Sequence, residues 1–273
     1  MTSAADETID FDTLVTPTAR GGGAYSIDVP DGWQQGRGAY GGLVLAMLTR
    51  AAEATAADPS RALRSLTAQI VGPVQPGPTE IATEVLRAGS GVTAVAARLV
   101  QAGAVQAHAV ATLGKPRATY EAAPVLAAPE MPAWRERSPA PASMPFAPTF
   151  IRHMEIWPTG PLPFSGAGSV QETAGWGRLR RPGRARDAAF TVAMIDSYWP
   201  GFLAAASGPR PAATLTFSLE TMSDLVGLDP DAPLFYRARV LGGRDGYAIE
   251  ARELWGEDGR LIALNQQIFV VMK

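Results

Sequence analysis

Cysteine is absent from the 273 residues, and histidine occurs only twice. The first absence excludes disulfides, thiolate nucleophiles and cysteine-ligated metals. His108 and His153 lie in different halves with no ligand spacing around them, so no zinc site is expected. No nucleophile elbow accompanies them either, which leaves a Ser-His-Asp triad without its serine; both histidines read as structural. The chain has no surplus of positive charge: the net charge is −2 and the pI about 5.8, which argues against a nucleic-acid partner. Charged residues make up only 18%, a low share that suits much buried sheet. No apolar run is long enough to span a membrane. The polar, acidic start MTSAADETIDFDTL lacks the basic and apolar regions of a signal peptide. These observations predict a cytoplasmic protein with neither nucleic acid nor membrane as partner, and with no metal or redox cofactor.

Apolar material is plentiful, with 47% hydrophobic residues and a mean hydropathy of +0.02, and it is arranged twice over. Residues 40–113 read as a helix, YGGLVLAMLTRAAE, followed by four alternating strands. Residues 188–272 read the same way from AFTVAMIDSYWPGFLAAA onward. VLRAGSG in the first copy answers VLGGRDG in the second, about 155 residues later, a self-similarity that governs any reading of the fold. Between the copies, residues 115–147 are rich in Pro and Ala, have no period, and read as a linker. TFIRHMEIW and VQETAGWGRLRRP, after it, read as strands. Each copy alone leaves a sheet face open; two copies can join their sheets into one layer against which both helices pack.

The second helix carries Pro200, whose ring clashes with the carbonyl of Asp196 four residues earlier. A kink or break beside Asp196 is therefore predicted. Asp196 is unusual in an otherwise apolar run, because carboxylates are rarely buried unpaired. Its plainer reading is a cap on the broken helix.

The repeated helix-plus-meander resembles the hot-dog fold, and the two-copy chain resembles the type II acyl-CoA thioesterases. The resemblance covers most of residues 20–115 and 148–272. It implies an α+β double hot dog: an N-terminal hot dog over 1–115 with a degenerate site, a linker over 116–147, and a C-terminal hot dog over 148–273. It also implies a site made of Asp196 in AMIDSYWP, Thr214 in AATLTFSLE and Gln267 in LIALNQQIFV. In the family these groups hold the water that attacks the thioester. Strand parity cannot separate Thr214 from Thr216, which share a face. Gln266 and Gln267 must face opposite ways. Gln266 shares its face with Leu264 and Ile268, the more core-like set, and Gln267 is retained on the resemblance. The internal comparison supports one site per chain: Thr49, Ser65 and Ala111 stand in the first copy where Asp196, Thr214 and Gln267 stand in the second.

The implied function is hydrolysis of acyl-CoA to free acid and coenzyme A, the latter entering as part of the substrate; a homodimer is compatible with the fold. Gly41 and Gly42 before the first helix allow close backbone approach and a helix N-terminus for an oxyanion. Arg178 and Arg180, in WGRLRRPGRAR, suit the phosphates of coenzyme A, or alternatively belong to a solvated edge strand. Trp199, like Trp33, Trp176 and Trp255, lines an acyl pocket or simply packs the core. The match of Gly36–Gly41 to GxGxxG follows no buried strand, so the glycines read as the turn into the helix. Two rival functions remain: an enoyl-thioester hydratase or dehydratase, disfavoured because no histidine lies near Asp196 in sequence, and a non-catalytic acyl-CoA or acyl-carrier binding protein.

Overall fold

The computed structural model describes residues 9–118, 126–141, 147–166 and 171–272. The first half contains α1 (Phe11–Leu14), β1 (Thr18–Gly21), β2 (Ala24–Val29), the two-residue strands β3 (Gln34–Gln35) and β4 (Gly38–Ala39), and α2 (Gly41–Ala56). Its meander is β5 (Ala62–Ile70), β6 (Gly77–Ala88), β7 (Val92–Gln101) and β8 (Ala104–Gly114). The second half contains β9 (Met154–Pro158), β10 (Glu172–Leu179), α3 (Ala188–Asp196), α4 (Phe202–Ala205), β11 (Ala212–Thr221), β12 (Leu234–Arg244), β13 (Tyr247–Trp255) and β14 (Leu261–Val271).

Twelve strands form one antiparallel sheet in the order β1-β2-β6-β7-β8-β5-β11-β14-β13-β12-β10-β9. The halves meet where β5 pairs with β11, Ser65 opposite Glu220 through Gln69 opposite Thr216. This is the continuous double hot-dog sheet that the duplication implied. The sheet wraps α2 and α3, whose side chains form one core with Leu66, Val95, Leu99, Phe217 and Leu254. Both helices are apolar nearly all round, as befits helices surrounded by sheet rather than lying on a surface.

The helices run antiparallel. Asp187 caps α3 by accepting the Phe190 N–H at 3.2 Å and pairs with Arg50, near the far end of α2, at 2.9 Å. Glu53, one turn beyond Arg50, is driven up to a pKa of about 7, first by burial and then by Asp187, with Arg50 opposing. An unfolded glutamate titrates near 4.5, so the fold prefers the protonated acid. Stability from this group is complete below about pH 4.5 and is lost as pH rises to about 7. Glu53→Gln should therefore raise the melting temperature at pH 8 and leave it nearly unchanged at pH 4.5. Equal shifts at both pH values would contradict this.

Two segments differ from expectation. Thr149–His153 is a 3-10 turn, and the strand begins only at Met154. Phe150 and Ile151 are both buried, which consecutive strand residues facing opposite ways would not allow here, and Phe150 stacks on Tyr40 at 4.2 Å. Residues 119–125 and 142–146 of the Pro/Ala-rich stretch lie outside the described residues. Its described middle is more than a tether: Pro132 O accepts the Trp176 Nε1–H at 2.7 Å. Met131 and Trp134 cover a second cluster of Trp157, Trp176, Phe235, Trp255 and Leu261.

Candidate active site

The α3 helix stops at Asp196, and one turn resumes as α4 beyond Pro200, the break that the proline predicts. Ser197 closes the end, its hydroxyl donating to Met194 O at 2.8 Å. Asp196 is 7% exposed. Its carboxylate meets the N-terminus of α2, from the other half of the chain. A Cβ placed on Gly41 would lie 2.8 Å from Asp196 Oδ2, and the Gly42 N–H favours the charged form. The residue before α2, Tyr40, gives no side-chain cap; its hydroxyl instead donates to Ala193 O on α3. Asp196 thus stands where a helix start, with its orphan N–H groups and partial positive charge, favours an anion.

The sheet supplies the other side. Gln267 Nε2 donates to Asp196 Oδ1 at 2.8 Å and to Asn265 Oδ1 at 3.0 Å, while Thr214 Oγ1 donates to Gln267 Oε1 at 3.0 Å. The carboxylate can only accept, which fixes the amide orientation. Asn265, Gln267 and Phe269 are buried, whereas Gln266 is exposed. The inner face is therefore the Gln267 face, the reverse of what the apolar neighbours of Gln266 suggested. Parity also fails on β11. Thr214 pairs with Phe269, yet Thr216 pairs with Ile268, because Leu215 is an extra residue in the ladder. This β-bulge turns Thr214 inward and leaves Thr216 on the outer face, re-aiming one side chain as bulges beside functional sites do.

Sequence reasoning missed Arg252 and Glu250. Arg252 Nη1 donates to Asp196 Oδ1 at 2.9 Å and its Nε to Glu250 Oε1 at 2.8 Å. Glu250 Oε2 accepts the Gly201 N–H at 2.6 Å. Both side chains are wholly buried. Burial pushes both carboxyls up, against the pull of the shared guanidinium. Burial also works against the Arg252 charge, but Tyr236, Glu250 and Asp196 more than offset it and hold its pKa above the ordinary arginine value. The duplication contained the signal. Glu250 pairs with Gln267 and Arg252 with Asn265; in the other half Val95 pairs with Ala111 and Ala97 with Ala109. Four buried polar side chains replace four buried apolar ones in the same register.

The remaining candidates separate. Trp199 is buried against Tyr198, ring centroids 4.1 Å apart, and its Nε1–H is buried with no hydrogen-bond partner among the described residues. Trp176 and Trp255 belong to the second cluster, and Trp33 stacks on His153 at 4.1 Å. Arg178 and Arg180 are not brought to Asp196. A Cβ on Gly177 would meet Met194 on α3, so Arg178, next along the strand, faces away. Both arginines bind Glu155, at 2.6 and 3.1 Å, beside a cavity of about 490 Å³. His108 lies by Gln69 Oε1 at 3.1 Å and His153 by Gly32 O at 3.2 Å. Among the described residues no three His, Asp or Glu side chains gather to hold a metal ion, and no helix is long and apolar enough to cross a membrane.

Comparison with known proteins agrees with this architecture. The family model for the acyl-CoA thioesterase N-terminal domain matches residues 29–114, and that for the C-terminal domain matches residues 123–271. A putative thioesterase II from Thermobifida fusca YX superposes with a TM-score of 0.83 at 22% identity, covering 97% of this chain and 99% of its own. A hot-dog protein of unknown function from Alicyclobacillus acidocaldarius gives 0.83 at 22%, covering 96% and 98%. The acyl-CoA thioesterase II TesB2 of Mycobacterium marinum gives 0.74 at 18%, with the same coverage. Comparison with curated protein sequences gives no significant match. Two domain matches spanning most of the chain, on a double hot-dog fold, identify the chain as a member of the acyl-CoA thioesterase family and a thioester hydrolase.

Proposed function

We propose that the chain hydrolyses acyl-CoA by direct attack of water, with Asp196 as general base and Thr214 and Gln267 orienting the nucleophile. The observation that carries this is the hydrogen-bonded chain Thr214–Gln267–Asp196. Asp196 Oδ1 is occupied by Arg252 and Gln267, so Oδ2 keeps the lone pair for a water proton. The Thr214 proton is committed to Gln267, so the Thr214 oxygen is left to accept the second water hydrogen. A water held by both aims its own lone pair outward. As its oxygen bonds to the thioester carbon, one proton passes to Asp196. The C–S bond then breaks, and that proton returns to the departing sulfur, giving acid and thiol. No metal or redox group enters this sequence. Arg178 and Arg180, bound to Glu155, take no part in this reading.

Neither histidine joins the Asp196 network, which favours hydrolysis over hydration of an enoyl thioester. The test is a single turnover, with enzyme in excess over acyl-CoA, in ¹⁸O-labelled water. Direct water attack puts the label in the acid released by the first turnover. Unlabelled acid would mean that a carboxylate of the protein attacks instead, and absence of thiol release across short, medium and long acyl-CoAs would support a binding protein.

A further inference from the structure

We propose that Glu250 and Arg252 are positioning residues that hold the Asp196 carboxylate in place and set its basicity from the far side of the water. The inference rests on the reading of Asp196 as base.

The two residues form a clamp with three attachment points. Arg252 is anchored by Nε to Glu250 and presents Nη1 to Asp196. The other oxygen of Glu250 holds the Gly201 N–H, on the segment by which the chain leaves the broken end of α3. Glu250 thus ties the guanidinium and the Asp196–Gly201 turn to one strand. The planar fork gives the guanidinium little freedom once both ends are bound. Tyr236 and Phe269 close over it, with ring centroids 5.7 and 5.1 Å from its central carbon. No such clamp is required for folding the sheet, because Val95 and Ala97 fill the matching positions of β7 in the first half.

The charge count is uneven: two buried carboxylates share one buried guanidinium. Glu250 draws on the charge that Arg252 would otherwise direct wholly at Asp196. The titratable groups facing Asp196 are Arg252 from β13, Tyr40 ahead of α2 and Tyr236 from β12. Burial keeps both tyrosines neutral, so the Arg252–Glu250 pair supplies the charges that act on the base, beside the fixed hydrogen bonds from Gln267 and Gly42. Neutralising Glu250 leaves Arg252 to Asp196, which makes the base weaker and lets it ionise at lower pH. Removing both charges leaves Asp196 without a cation, so it ionises only at higher pH.

The test is the pH dependence of kcat/KM for acyl-CoA hydrolysis in wild type, Asp196→Asn, Glu250→Gln, and the double variant Glu250→Val with Arg252→Ala, each checked for folding by thermal melting. The double variant copies the first half. Glu250→Gln should move the acid limb down by at least about half a pH unit and lower kcat about two- to threefold with little change in KM, as a weaker base requires. The double variant should move the limb up. A residue that only supported the fold would change activity without moving the limb in opposite directions. Inactive Asp196→Asn with an unmoved limb in the folded variants would overturn the clamp and leave the base in place. Active Asp196→Asn would overturn both. Failure of both Glu250 variants to fold would make the pair structural and also overturn the inference.

Discussion

Asp196→Asn should lower kcat for acyl-CoA hydrolysis about 1,000-fold, the middle of the range for loss of a general acid or base. The asparagine fits the space and keeps one oxygen for Arg252 and Gln267. Its NH₂ must then face the α2 N-terminus, where the Gly42 N–H is also a donor. No lone pair remains for the proton of water. Stability should suffer less than activity. Breaking a buried ion pair usually costs about 3–5 kcal/mol because a lone buried charge remains. Here Arg252 keeps Glu250 as a partner at 2.8 Å, and the substitution removes the surplus negative charge. The expected result is a folded protein with a near-normal melting temperature and almost no thiol release. Retention of more than about a tenth of wild-type kcat would remove Asp196 from the role of base.

Gly41→Ala should be the second large effect, and in the opposite pattern to ordinary helix substitutions. Replacing Gly by Ala in a helix normally stabilises it by about 1 kcal/mol. At Gly41 the new Cβ would sit 2.8 Å from Asp196 Oδ2 and 3.0 Å from Ile70 Cδ1. A free side-chain end would swing aside at little cost. Asp196 is not free: Arg252, Gln267 and Gly42 hold it. Either the carboxylate or the start of α2 must shift by some tenths of an ångström. A displacement approaching 1 Å at a reacting group costs on the order of 100-fold in rate. The helix gain and the strain oppose one another in stability, whereas nothing offsets the loss in geometry. The variant should melt within a few degrees of wild type yet turn over about tenfold more slowly. Normal turnover would show that Oδ2 is not the oxygen that handles the water.

The parts of this molecule legible in the sequence are those fixed by local chemistry or by repetition. Pro200 alone located the end of α3, because a missing N–H and a ring clash act within one turn. The duplication implied a joined sheet, and β5 beside β11 forms the join. The resemblance names Gln267, and comparing the halves, with Ala111 opposite it, agrees. What stayed hidden depended on breaks in regularity. Strand alternation assumes an unbroken ladder, and one extra residue at Leu215 defeats it for Thr214. On β14 the apolar neighbours of Gln266 point to the wrong face for a related reason: the buried side carries Asn265 and Gln267 because polar partners await them there. Glu250 and Arg252, in YAIEAREL, look like two charges on an ordinary strand. Only their replacement by Val95 and Ala97 in the sister half marks them as buried.

The first half has neither a carboxylate nor an amide where the second has Asp196 and Gln267, and so resembles a spare part. Yet the helix start that receives the Asp196 carboxylate, Gly41 and Gly42, belongs to that half. A duplicated gene can normally shed its inactive copy. Here the copies have become complementary, one keeping the acid and the other its receptor. A single-hot-dog version cut from the second half would therefore lack the helix start that receives the Asp196 carboxylate.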